Sequence, residues 1–285
     1  MNVPFAKMHG IGNDFILIDR IADPEIPVDV IERNAPFLCD RHFGIGSDGI
    51  LVVEPSSRDG IDLVYRMYNP DRSEAEMCGN GIRCFGKWVY ENGHTTKRTI
   101  TVETKAGDLV LELNGDASTV DSVRVDMGPA RLSRPDIPMT GPDGPAVSET
   151  LDVNGTNIAV TAVSMGNPHA VYFVDTVTDT SINAIGPELE KHPRFPRKTN
   201  VHEVQVLSPE HLHMLTWERG AGRTLACGTG ACSVAVAAHL NGISGRSVNI
   251  TLAGGDLQIH WDEASNHVFM TGPATLVYTG SIELN

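Results

Sequence analysis

Short runs of alternating apolar and polar residues dominate the chain. FILID, ILVVE, LVYRMY, TITVET, LVLEL and VRVDM fill the first part; IAVTAV, AVYFVD, EVQVL, HMLTW, VNITL, LQIHW and VFMTG fill the second. A period of two with many β-branched residues predicts strands. The period changes after two cysteines. Beyond Cys78, residues Ile82, Phe85 and Val89 share a helical face; beyond Cys227, Ala231, Val234, Ala235 and Ala238 do. Asn80 and Thr229 are candidate N-caps, and Asn-Gly closes both helices, at Asn92-Gly93 and Asn241-Gly242. Further helices are expected near 28–39 and 181–192. The pattern predicts an α+β protein rich in strands.

The two parts echo each other. MCGNGIRC (77–84) and ACGTGAC (226–232) place Cys78 and Cys227 149 positions apart. At that offset Gly79 and Gly81 fall on Gly228 and Gly230, Asn92-Gly93 falls on Asn241-Gly242, and Tyr68-Asn69 falls on Trp217-Glu218. AGDLVLEL matches GGDLQIHW, MGPARL matches TGPATL, and MHGIGNDFILID loosely matches SMGNPHAVYFVD, all in one order. Ordered matches at nearly constant spacing predict two related halves, roughly 1–135 and 150–285. The Pro- and Gly-rich piece PDIPMTGPDGP (135–145) reads as the linker.

The 285 residues are 41% hydrophobic and 20% charged, enough for one large domain or two ordinary ones. A formal net charge of −14 argues against nucleic acid and anionic membrane as partners, which need a basic footprint. A small zwitterionic or cationic molecule stays compatible. No apolar run reaches the roughly 18 residues of a membrane helix. The opening MNVPFAKMHGIGNDF lacks the apolar core of a secretory signal. Cys39, Cys78, Cys84, Cys227 and Cys232 include no C-x-x-C pair, so a reducing cytoplasm is expected. Cys39, Cys84 and Cys232 read as packing residues. His211 and His213 form a lone H-x-H, read as a strand or surface feature.

The cysteine phrases carry the chemistry. A helix N-terminus offers unpaired amides and the positive end of the dipole. A carboxylate binds there, glycine lets it approach, and a neighbouring thiol is expected to be acidified. Two such turns, if opposed, could hold one carboxylate with a thiol on either side of the adjacent carbon. Inverting a stereocentre needs one base and one acid on opposite faces. GIGSDG (44–49) fits G-x-G-x-x-G, but a strand follows it, which is the wrong order for a dinucleotide turn. No G-x-x-x-x-G-K-[ST] occurs.

MHGIGNDF, MCGNGIRCF, SMGNPH, WERGAG and ACGTGAC, in this order, closely resemble the diaminopimelate epimerases, from about residue 5 to residue 280. The resemblance implies a cofactor-independent isomerase interconverting LL- and meso-2,6-diaminopimelate in lysine and peptidoglycan precursor biosynthesis. It implies Cys78 and Cys227 as acid/base thiols, and the amides of Gly79-Asn80 and Gly228-Thr229 as the carboxylate cradle. Asn13, Asn69, Asn167, Asn200, Glu218 and Arg219 match substrate-binding positions, and His169 with Glu218 is expected near the thiols, tuning them. No metal is implied. The implied fold is two pseudo-symmetric α/β domains, 1–118 plus 274–285 and 119–273, with the active site in the cleft between them. A homodimer is expected. Gly49 stands where some relatives carry a substrate-site glutamine, so the resemblance implies no such contact from this loop. A same-mechanism racemase of histidine or another basic amino acid, a thiol redox enzyme and an amino-acid binding protein are the alternatives.

Overall fold

In the computed structural model, which describes residues 1–284, the chain divides into two compact units. The first is Met1–Val125 together with the C-terminal segment from Thr271; the second is Asp126–Met270. Each is a mixed sheet carrying two helices, and both are wound in the same order.

In the first unit, strand Asn2–Gly10 pairs antiparallel with Asn13–Asp19 and with the C-terminal strand Thr275–Glu283. Helix α1 (Val28–Cys39) crosses over to Gly49–Pro55, parallel to Asn13–Asp19. Leu63–Tyr68 returns antiparallel and pairs with the short strand Glu74–Ala75. Helix α2 (Gly79–Glu91) crosses over to Thr99–Thr104, parallel to Leu63–Tyr68, and Gly107–Asn114 then turns back. Parallel neighbours require such crossovers. Ile82, Phe85 and Val89 of α2 are fully buried, as the spacing predicts, each stabilising by about 1.5–3 kcal/mol. Phe85 meets Tyr65 edge-on at 5.6 Å. A second apolar cluster packs Ile31, Ala35 and Leu38 of α1 against Ile16, Ile18, Ile50 and Val52.

The second unit repeats this path. Thr156–Ser164 pairs antiparallel with Glu149–Val153 and Pro168–Val174. Helix α3 (Asp179–Glu190) crosses over to Asn200–Ser208, parallel to Pro168–Val174. His211–Glu218 returns antiparallel and pairs with the short strand Gly222–Thr224. Helix α4 (Gly228–Leu240) crosses over to Ser247–Leu252, parallel to His211–Glu218, and Gly255–Trp261 turns back. The duplication thus extends from sequence to topology. The α4 helix departs from an amphipathic pattern: Ala231 through Ala238 are all buried, so every side of it is packed. A helix apolar all round belongs inside a core.

Both cysteine-linked helices have 13 residues and end on Asn92 and Asn241, with Gly93 at φ 76° and Gly242 at φ 69°. That left-handed glycine after the last turn is the expected stop. Their starts correct the capping expectation. The N-caps are Cys78 and Cys227 themselves, and Asn80 and Thr229 lie in the first turn. Helix α3 starts two residues before the expected span, because the Thr178 hydroxyl accepts the Ser181 N–H at 3.0 Å and caps it there. Among the described residues, no helix is long and apolar enough to cross a membrane.

Candidate active site

In the first unit, Cys78 enters α2 with φ −133° and ψ 120°, an extended conformation that turns the helix amides outward behind it. The hairpin Gly10–Asn13 lies against this helix end. Its two central residues, Ile11 and Gly12, have φ 46° and 87°, as a tight two-residue turn requires. A Cβ at Gly10 would stand 3.0 Å from the Asn80 carbonyl oxygen, so only glycine lets the hairpin come this close. Asn13 is thereby set beside the thiol. Its Oδ1 is 3.7 Å from the Cys78 sulfur and accepts from Asn80 Nδ2 at 3.1 Å, while its own Nδ2 donates to Asp48 at 2.6 Å. Asn80 is buried, and its Oδ1 has no hydrogen-bond partner among the described residues. Asn69 follows strand Leu63–Tyr68 and donates to the Ser73 hydroxyl at 2.9 Å.

In the second unit, Cys227 enters α4 with φ −132° and ψ 103°, and is 5% exposed. Its sulfur lies 3.8 Å from the Thr229 hydroxyl. Asn167 stands in the loop between paired strands, 3.4 Å from the same hydroxyl. Its Oδ1 meets His169 Nε2 at 2.9 Å. His169 is fully buried, and its ring lies against His202, with Nδ1 to Nε2 at 2.8 Å. His202 Nδ1 reaches the Thr216 hydroxyl at 3.1 Å. Burial, and then the neighbouring His202 and Arg219, hold His169 well below the usual imidazole range. Burial brings His202 down to about 3. Both rings are neutral near pH 7.

The ionisation of Cys227 corrects the expectation of an acidified thiol. Burial pushes it well above the ordinary cysteine range, and the Glu218 carboxylate beside it adds to the rise. The Gly230 amide and the Thr229 hydroxyl pull the other way without offsetting them. The helix end is present, but withdrawal from water outweighs it. Cys227 therefore rests as a neutral thiol in the free protein.

Asn200 is more committed than its residue type suggests. It is 4% exposed; Nδ2 donates to the Pro168 carbonyl at 2.9 Å and Oδ1 accepts the Arg219 N–H at 3.0 Å. It therefore ties the Asn167 loop to the Arg219 turn, leaving one N–H for a ligand. Arg219 is exposed, and its guanidinium donates to the Arg197 carbonyl at 3.2 Å. Gly49 occupies the position in its strand that Asn200 has in the other unit, since the registers Phe15↔Gly49 and His169↔Asn200 correspond. A Cβ at Gly49 would lie 2.9 Å from the Met67 methyl and 3.1 Å from the Tyr68 carbonyl oxygen. A larger residue there would need the Met67 methyl to swing aside and that carbonyl to give by a few tenths of an ångström.

The structure thus sets Asn13, Gly79 and Asn80 around Cys78, and Asn167, His169, Glu218, Gly228 and Thr229 around Cys227. Asn69, Asn200 and Arg219 stand in the loops and strand ends bordering their own units' turns. Sequence reasoning passed over His202, Thr216 and Tyr65. Two residues along from the matched pair Gly49 and Asn200, Leu51 corresponds to His202. Each packs under the same glycine of its helix: a Cβ at Gly81 would meet Leu51 Cδ2 at 3.0 Å and Tyr65 Oη at 2.7 Å, and one at Gly230 would meet His202 Cε1 at 2.4 Å. The signal was an apolar core position occupied by histidine in the second copy.

The diaminopimelate epimerase family model matches residues 5–133 and 161–277. The diaminopimelate epimerase of Heliobacterium modesticaldum is 50% identical over 281 residues, covering 98% of this chain and 99% of its own. That of Moorella thermoacetica is also 50% identical over 281 residues, covering 99% of each. A Bacillus anthracis phenazine biosynthesis protein of the PhzF family superposes with a TM-score of 0.73 at 15% identity, covering 100% of both chains. A hydroxyproline epimerase from Agrobacterium vitis does so with a TM-score of 0.70 at 15% identity, over 99% of this chain and 92% of its own. At that identity these two structures speak to the fold alone.

Proposed function

The chain belongs to the diaminopimelate epimerase family and is an isomerase, and we propose on that footing that it interconverts LL- and meso-2,6-diaminopimelate using its two N-capping cysteines. The observation that carries the mechanism is the duplicated turn: Cys78 and Cys227 cap helices of equal length with nearly equal backbone angles. One cysteine, as thiolate, removes the α-proton. The other, as thiol, delivers a proton to the opposite face of the same carbon. The amides of Gly79-Asn80 and Gly228-Thr229 stabilise the charge that spreads onto the α-carboxylate, each well-placed donor being worth about 3–4 kcal/mol. The reverse reaction exchanges the two roles, so the thiols titrate as a pair.

No pyridoxal phosphate is needed in this scheme, because the amides take the place of its electron sink. Asn13, Asn69, Asn167, Asn200, Glu218 and Arg219 hold the amino groups and the distal carboxylate; a fixed guanidinium and neutral carboxamides suit that mixture of charges. His169 and Glu218 tune Cys227. The reaction belongs to lysine and peptidoglycan precursor synthesis. Five free cysteines support a reducing cytoplasm. The exposed apolar residues Leu276, Val277 and Tyr278 on one strand support a homodimer; light scattering giving the 30.7 kDa of a single chain would reject that assembly.

The reduced protein, incubated with LL-diaminopimelate in deuterated water without pyridoxal phosphate, should yield the meso form with deuterium at the α-carbon. Retained α-protons with no conversion would sink the proposal. Exchange on histidine alone would transfer the mechanism to a racemase of another amino acid.

A further inference from the structure

The two cysteine turns differ in what lies beneath them. Under Cys78 sit Leu51 and Tyr65; under Cys227 sit His202 and His169. One ring nitrogen of each histidine and the Cys227 sulfur lie within 4.8 Å of one another, and all three residues are buried. The outer nitrogens of the two rings are held by oxygens: His169 Nε2 by Asn167 Oδ1 and His202 Nδ1 by Thr216 Oγ1. The inner nitrogens, His169 Nδ1 and His202 Nε2, face each other at 2.8 Å. His202 Nε2 and the Cys227 sulfur also border one small space, at 2.8 and 3.0 Å from the point a Gly230 Cβ would occupy.

Imidazoles that ligate metal characteristically anchor their other nitrogen on a protein oxygen, as both rings do here. We propose that His169 Nδ1, His202 Nε2 and the Cys227 thiolate form a binding site for a divalent cation of the zinc class, specific to the second unit. Zinc–nitrogen bonds of roughly 2.0–2.1 Å and a zinc–sulfur bond of about 2.3 Å in a tetrahedron need ligand separations of roughly 3.3–3.6 Å. The inner nitrogens, 2.8 Å apart, part by about half an ångström to meet that, and the Cys227 sulfur, within 4.8 Å of both, closes to it.

In the free chain His169 Nε2–H donates to Asn167 Oδ1, which leaves Nδ1 bare to accept from His202 Nε2–H. Binding moves the His202 proton from Nε2 to Nδ1, where it donates to Thr216 Oγ1 as the hydroxyl rotates. Both rings stay neutral. The Cys227 S–H bond breaks, a sulfur–metal bond forms, and one proton leaves to solvent. Nothing is oxidised or reduced. Three protein donors leave the fourth position open to water or an incoming ligand. An occupied site withdraws Cys227 from acid/base use, so the cation is an inhibitor.

The test reads the site directly and stands whether or not the proposed reaction does. Reduced, metal-stripped protein is titrated with cobalt(II). The expected result is roughly one ion per chain, with the intense visible bands of tetrahedral cobalt and a thiolate-to-cobalt charge-transfer band. Calorimetry in buffers of different ionisation enthalpy should show one proton released per ion. Cys78→Ser keeps the spectrum and Cys227→Ser loses the charge-transfer band. His202→Leu, which installs the residue of the first unit, loses tetrahedral binding. Weak octahedral absorption in the unmodified protein, or charge transfer that survives Cys227→Ser, overturns the proposal. If His202→Leu fails to fold, the unmodified spectrum, the two serine variants and the proton count still decide.

Discussion

On the proposed mechanism, Cys227→Ala should lower turnover in both directions by about 10²–10⁴-fold, the usual worth of a positioned proton-transfer group. Cys78→Ala should do the same. The variants differ in what they retain. Each keeps one thiol and both helix ends, because the amides are backbone, so each should exchange the α-proton of only the stereoisomer that presents it to the surviving thiol. Proton exchange without conversion, on opposite isomers for the two variants, is therefore expected by NMR in deuterated water. A single variant with full activity would refute the assignment. The pH dependence of Cys227 follows from its environment. Burial and then Glu218 raise its pKa, so its thiolate fraction near pH 7 is smaller than that of free cysteine and grows as pH climbs toward the raised value. Iodoacetamide should modify it more slowly than free cysteine at pH 7, gaining speed in alkali; faster modification would contradict the burial argument.

Glu203→Leu should cost about 3–5 kcal/mol of unfolding free energy, a large part of the 5–15 kcal/mol typical of a folded protein. Glu203 is fully buried in strand Asn200–Ser208. Its carboxyl oxygens accept from the Tyr172 hydroxyl at 2.6 Å, the Ser181 hydroxyl at 2.5 Å and the Thr178 N–H at 3.0 Å. Thr178 caps α3, so the carboxyl ties the helix start to two strands. Leucine fills the volume and leaves three donors without an acceptor. Glu203→Gln keeps an acceptor and should cost clearly less. Urea denaturation measures both; a leucine variant within 1 kcal/mol of the parent, a bound set by the size of one ordinary hydrogen bond at about 1 kcal/mol, would mean that water reaches these donors.

The sequence was most readable where local chemistry and burial agree. Helix α1 falls on the expected 28–39, and the Asn-Gly stops end α2 and α4. The repeat was visible because both copies keep the cysteine, the glycines and the stop. Other features hid for physical reasons. Strand Asn2–Gly10 carries a run in which Ala6, Lys7 and Met8 are all buried, so alternation fails. The lysine is inside because it pairs with Asp14 and the Gly46 carbonyl. Strand Thr275–Glu283 fails the other way: Leu276, Val277 and Tyr278 are all exposed. His202 was missed because a lone histidine in a strand is ordinary; only its place under Gly230, set by two strand registers, gives it meaning. The direction of the Cys227 shift was misread because a helix terminus is visible in sequence, whereas the depth at which a thiol lies is not.

The first unit closes only with the chain's late residues. Strand Thr275–Glu283 lies against Asn2–Gly10 along nearly its whole length, and the Leu284 N–H donates to the Met1 carbonyl at 2.8 Å. The second unit, Asp126–Met270, is one uninterrupted stretch. On a ribosome, where chains emerge N-terminus first, the part begun first is finished last. While the second unit emerges and acquires its full set of strands, Asn2–Gly10 waits with one edge unpaired, a template for any other strand nearby. Synthesis therefore passes through a stage at which half of the protein is complete and its older half is the one in need of protection.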